Sequence, residues 1–107
     1  MSERGEYRLL SQKESTIQKK IVDYINSLPG CKAVVNHGSA WQGSGRPDIF
    51  ACCQGRFVAL EVKTEDGKLT RLQMHELSKW MESGAVVAVV RSVEDVKAVL
   101  KRETART

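Results

Sequence analysis

The chain has 107 residues, 41% of them hydrophobic, with 17 Lys and Arg against 13 Asp and Glu for a formal net charge of +4. One domain of this size buries about two thirds of its unfolded surface, enough for a core without staples, so residues 1–107 are expected to form a single domain. No apolar run approaches the ~20 residues that span a bilayer, and the polar start MSERGEYRLL does not read as a secretory signal, which points to a cytoplasmic protein without membrane association. Cys31, Cys52 and Cys53 make an odd count without C-x-x-C spacing, which argues against a disulfide framework and against a zinc site. The basic excess favours a polyanionic partner. Residues 1–50 carry seven basic and five acidic side chains and residues 51–107 carry ten and eight, so there is no basic arm. Any anion-binding surface is assembled by folding, with Lys19, Lys20, Arg46, Lys68, Arg71 and Lys79 as candidates.

In chain order, Ser11-x-x-Glu14 reads as a capping box, and Ile17, Ile21, Ile25 and Leu28 follow at helical spacing until Pro29 and Gly30 stop the run. Residues 32–36 form a short strand. Residues 37–46 form a loop with three glycines, long for a small domain and therefore of functional interest, containing His37, Ser39, Trp41 and Arg46. Trp41 is suited to stacking on an unpaired base, and equally to packing against a partner subunit or its own loop. Two apolar strand-length segments come next, residues 49–53 and 56–63, separated by Gln54 and Gly55. A polar loop leads to Thr70-x-x-Gln73, a second capping box, opening a helix with Leu72, Leu77, Trp80 and Met81 as its inner side, His75 on its surface and Ser83-Gly84 at its end. Residues 85–90 are apolar throughout, which predicts a central strand, and Ser92 caps a last helix through about Lys101.

The two-residue connection fixes a register. If Cys53 pairs with Arg56 across a tight hairpin turn, paired residue numbers sum to a constant that puts Asp48 opposite Glu61. Lys63 then projects on the same face, one pleat further along, beside Asp48. A loop one residue longer would turn Asp48 away. Like charges directly opposed on a sheet are destabilising, so the pair calls for a cation, and a hard divalent ion such as Mg²⁺ accepts one or two carboxylates together with backbone carbonyls, here that of Val62. An E-x-K triplet alone is common surface chemistry. Here it ends a strand apolar on both faces, where charges have little reason to stand unless they act.

The segments Gly45-Arg46-Pro47-Asp48, Glu61-Val62-Lys63 and Gly67 through Thr70-x-x-Gln73, with the element order αβββαβα, resemble the PD-(D/E)xK nuclease superfamily and within it the virus-type replication-repair nuclease (VRR-NUC) family. The resemblance runs from about Glu14 to Val96. It implies an α/β, restriction-endonuclease-like fold with an αβββαβ core and a mixed central sheet flanked by helices. It also implies Mg²⁺ or Mn²⁺ held by Asp48, Glu61 and the Val62 carbonyl, with Glu14 able to reach the same site. Asp48, Glu61, Lys63 and Gln73 are the implied catalytic residues. Lys63 would orient or deprotonate water, or offset charge on the transition state, and Gln73 would support the lysine or the phosphate, although Glu14 and Gln73 are each also explained as helix caps. The implied activity is metal-dependent hydrolysis of DNA phosphodiesters, leaving a 5′-phosphate, in branched DNA such as a four-way Holliday junction. A homodimer with two sites suits that substrate. The alternatives are a nicking or restriction-type nuclease, and a catalytically silent DNA-binding or scaffold domain.

Overall fold

The tight turn between the two central strands sets the geometry of everything around it. The structure is a computed structural model describing residues 13–37 and 45–105. In chain order its elements are α1 (Glu14–Asn26), β1 (Cys31–Val35), β2 (Ile49–Cys53), β3 (Arg56–Val62), α2 (Arg71–Glu82), β4 (Val86–Val90) and α3 (Val93–Ala105). Gln54 and Gly55 both adopt positive φ, 51° and 83°, the handedness that a two-residue hairpin needs to match strand twist. Cys53 accordingly pairs with Arg56, and the register runs back to Ile49 opposite Leu60. The sheet order is β1-β2-β3-β4, antiparallel except for the parallel β3 and β4 pair. This is the expected mixed sheet flanked by helices.

Period-two alternation divides the sheet into two faces. One carries Ile49, Ala51, Val58, Leu60, Val62 and Val90, and it forms the main core with Ile17, Ile21 and Ile25 of α1 and Val96 and Val99 of α3. The other carries Phe50 and Phe57, which gather around Trp80 of α2 with ring centroids 4.8 and 5.4 Å from the indole. Strand β3 lies between β2 and β4, and its residues from Val58 to Val62 are all buried. At the β1 edge, the Asn26 side chain accepts from the Ala33 N–H at 2.7 Å and donates to the Ala33 carbonyl at 3.2 Å. The helix thereby satisfies one rung of an exposed strand edge.

Four expectations are corrected. The strand at residues 85–90 is not central: among the described residues β4 pairs only with β3. Its apolar run reflects α2 on one face and α3 on the other, which is independent of having two strand neighbours. Leu72 and Met81 are 47% and 60% exposed, because α2 turns only the line through Gln73, Leu77 and Trp80 toward the sheet. Helix α1 starts at Glu14 with Lys13 as its N-cap and no side-chain cap, so Glu14 is in the first turn rather than the third position of a box. Ser11 lies outside the described residues. The last helix continues to Ala105, opened by Ser92 accepting from the Asp95 N–H at 3.2 Å. His75 is exposed as expected. Among the described residues no helix is long and apolar enough to cross a membrane.

Leu60, fully buried on the central strand, reports on the main core. Leu60→Ala is expected to lower the unfolding free energy by about 2–5 kcal/mol in urea titrations.

Candidate active site

Proline chemistry opens the site. Continuing the β2 and β3 register beyond Ile49 and Leu60 sets Asp48 opposite Glu61 at the first step and Pro47 opposite Val62 at the second. Pro47 has no N–H to give the Val62 carbonyl, so the ladder stops there. The remaining groups are reassigned: the Val62 N–H donates to Asp48 Oδ2 at 2.7 Å, while the Pro47 carbonyl accepts from Asn36 Nδ2 at 2.8 Å. The Asn36 N–H also donates to the Asp48 carbonyl at 2.7 Å. Asp48 is thus held from both neighbouring strands, with its second oxygen left for other work.

Glu61 is the one charged residue in the core of the described residues, 1% exposed. Its Oε2 accepts from Gln73 Nε2 at 2.9 Å and lies 3.8 Å from Lys63 Nζ. Its Oε1 is buried and finds no hydrogen-bond partner. Burial first, then the neighbouring Asp48 carboxylate, push the Glu61 carboxyl up to about 8. Lys63 acts in the opposite sense, and Glu14, in the first turn of α1, pushes it further up. A proton shared with Asp48 relieves the pair; so does a cation.

Both readings of Gln73 hold at once. Its Oε1 accepts from the Thr70 N–H at 2.9 Å while Thr70 Oγ1 accepts from the Gln73 N–H at 3.1 Å, a complete capping box. With the amide oxygen so occupied, the amide nitrogen is directed at Glu61. The cap that starts α2 therefore orients the donor that holds the buried carboxylate.

Lys63 is walled in by the loop that follows it. A side chain at Gly67 would place a Cβ 3.3 Å from Lys63 Cδ, so the absence of one lets the loop lie against the lysine. The loop is held by Arg91 Nη1, which donates to the carbonyls of Thr64, Glu65 and Gly67. Asn36 and Arg91 were not singled out from sequence. The signal available was positional: each is the first polar residue after an apolar strand.

The donor set fits a hard divalent cation. A buried carboxylate oxygen without a partner, beside a second carboxylate and a backbone carbonyl released by a proline, offers oxygen ligands and uncompensated negative charge. Among the described residues no three acidic, histidine or cysteine side chains converge closely enough to hold an ion. Glu14 adds charge from nearby without completing such a trio. Lys68 and Arg71 stand exposed, on the loop that follows Lys63 and at the start of α2, and Arg46 is half-buried two residues before Asp48. Lys19 and Lys79 are paired along their own helices with Asp23 and Glu82. Lys20 is exposed on α1, as is His37 beyond β1, whereas Ser39 and Trp41 lie outside the described residues.

The fold and this arrangement define the class: a restriction-endonuclease-like α/β domain with its acidic pair at the entrance of the second strand and on the third. A solved structure described as a VRR_NUC domain is similar to this chain, with a TM-score of 0.66 and 28% sequence identity over 82% of this chain and 94% of that one. No family model matches the chain, and no curated protein does. The resemblance to the VRR-NUC family read from the motifs is thus matched by the fold.

The raised Glu61 carboxyl carries a pH signature. The folded state binds that proton more tightly than the unfolded chain, so holding Glu61 buried costs little below the ordinary carboxylate range and progressively more as pH rises toward about 8. Without metal, stability is expected to fall between about pH 4.5 and about pH 8. Glu61→Gln should flatten that fall in thermal melts across the window.

Proposed function

We propose that this chain is a metal-dependent nuclease of the VRR-NUC type that hydrolyses DNA phosphodiester bonds. The observation that carries the reading is the partnerless buried Oε1 of Glu61 beside Asp48, an acidic pocket built into the central strand rather than tolerated on the surface. Asp48, Glu61 and the Val62 carbonyl would hold Mg²⁺ or Mn²⁺, with Glu14 adding negative charge toward the ion. Bound there, such an ion offsets phosphate charge and makes water acidic enough to serve as nucleophile. Gln73 keeps the Glu61 carboxylate in place. Lys63, only 12% exposed and adjacent to Glu61, orients the attacking water or offsets charge on the phosphate as it reacts.

The substrate reading is branched DNA, with a four-way junction cut by a homodimer. It rests on the likeness to a VRR_NUC domain. Lys68 and Arg71, both exposed and following Lys63 in the chain, would supply positive charge for the phosphate backbone. A cytoplasmic site of action accompanies this reading.

Two experiments test it. Mn²⁺ or Mg²⁺ at about 100 times its dissociation constant should stabilise the folded protein by about 2.7 kcal/mol, and Asp48→Ala should abolish that shift. On an end-labelled panel of four-way junction, flap, splayed arm, single strand and duplex, cleavage should require the metal. Lys63→Ala should slow it by about 10²–10⁴-fold. Symmetric nicks confined to the junction support a dimeric resolvase, and cutting of flap or duplex redirects the substrate assignment. Equal binding by wild type and variants with no cleavage anywhere would identify a silent DNA-binding domain.

A further inference from the structure

At the end of the sheet away from Asp48 and Glu61, β1 and β2 place Cys31 directly across from Cys53. The rungs on which these strands exchange hydrogen bonds are set by the Gln54 N–H to the Gly30 carbonyl at 2.8 Å and the Asn36 N–H to the Asp48 carbonyl at 2.7 Å. Counting inward by twos from either one, the pair formed by Cys31 and Cys53 falls on a rung that is not hydrogen-bonded. On such rungs Cα atoms sit about 4.5 Å apart and side chains lie closest, inside the separation that a disulfide accepts. Cys31 lies close enough to Cys53 to bear on its ionisation. Cys31 Sγ donates to the Pro29 carbonyl at 3.6 Å. Both sulfurs are free thiols, Cys53 buried and Cys31 half-buried.

The pair is also reachable. A cavity of about 340 Å³ is lined by Cys31, Cys53, Gln54, Arg56, Leu100 and Glu103 among others. It gives a small disulfide room to approach Cys31, and the Arg56 guanidinium, 3.0 Å from Glu103, lines the same space as a contact for an anionic reagent. Cys52, one residue before Cys53, projects from the opposite face of the sheet and is exposed, so it cannot join the pair.

We propose that Cys31 and Cys53 are a reversible thiol–disulfide site, oxidised by a small-molecule disulfide such as oxidised glutathione. The Cys31 thiolate attacks one glutathione sulfur, forming a mixed disulfide and releasing one reduced glutathione. Cys53 then attacks Cys31 Sγ, forming the intramolecular bond and releasing the second glutathione. The two cysteine protons end on the two glutathione thiols, and the two electrons lost by the cysteines reduce the glutathione disulfide. The order of events follows from the surroundings. Burial foremost, with the neighbouring Cys31 thiol adding to it, pushes the Cys53 thiol up to about 12, so Cys31 is the point of attack and Cys53 the resolving thiol. The resulting crosslink ties the two strands together beneath the hairpin and encloses the segment that carries Asp48.

The test uses the full chain with Cys52→Ser, which removes the unrelated exposed thiol. After incubation with oxidised glutathione and alkylation of remaining thiols, intact mass should show loss of two hydrogens without a glutathione adduct. A peptide map should link Cys31 to Cys53, and excess reduced glutathione should reverse both. Closing this loop should raise the melting temperature by roughly 10 °C. Adding Cys53→Ala, checked for folding by its melt, should trap a stable glutathione adduct on Cys31. Two free thiols after oxidation, or an adduct on Cys31 that persists with Cys53 present, would overturn the proposal.

Discussion

A carboxyl group taken out of water must be compensated, and Glu61 is 1% exposed on the central strand of the sheet. An ionised carboxylate in such a place is tolerated only when charge and hydrogen bonds replace its hydration. Here the compensation is partial by construction. Gln73 satisfies Oε2, Lys63 stands 3.8 Å away, and Oε1 is left without a partner beside Asp48. In the metal-dependent reading proposed above, that oxygen is the one a cation would take. The surrounding fold is arranged around that carboxyl, from the proline that interrupts the ladder to the helix cap that aims the Gln73 amide.

The same geometry explains how few residues the site needs. Pro47 releases the Val62 N–H and carbonyl, and Asp48 takes up the N–H, so one missing donor both positions a carboxylate and frees a carbonyl. Thr70 and Gln73 start α2 and in the same stroke extend the site across to the next layer. Arg91 and Gly67 keep the intervening loop against Lys63. Each device uses the end of a strand or helix, where backbone groups would otherwise be unsatisfied.

Much of this was legible in the sequence because it depends on local counting. The two-residue connection at Gln54 and Gly55 dictates the register, and the register dictates that Asp48 faces Glu61; the observed pairing follows the expected one rung for rung. The Thr70 and Gln73 spacing likewise announced its cap. What could not be read was long-range. The apolar run at residues 85–90 reports that helices cover both faces but is silent about how many strands flank it, so β4 proved to be an edge. The exposure of Leu72 and Met81 depends on how little of α2 one half of a small sheet can cover. Asn36 and Arg91 act on residues far away in sequence, and a single polar residue carries no pattern to betray such a partner. The facing of Cys31 and Cys53 is a consequence of the β1 and β2 register, which no short turn between those strands announces in the sequence.

The central claim is the proposal that the Glu61 carboxyl, raised by burial and by Asp48, is a ligand for a divalent ion. The direct measurement is a carbon-13 NMR titration of the Glu61 side-chain carboxyl, with and without Mg²⁺. The account predicts a midpoint near 8 in the absence of metal and a fall of about two pH units or more when Mg²⁺ is bound, since an opposite charge within contact favours the ionised form. A midpoint that stays where it is at saturating Mg²⁺ would contradict the account and make the buried pair a structural feature of the sheet.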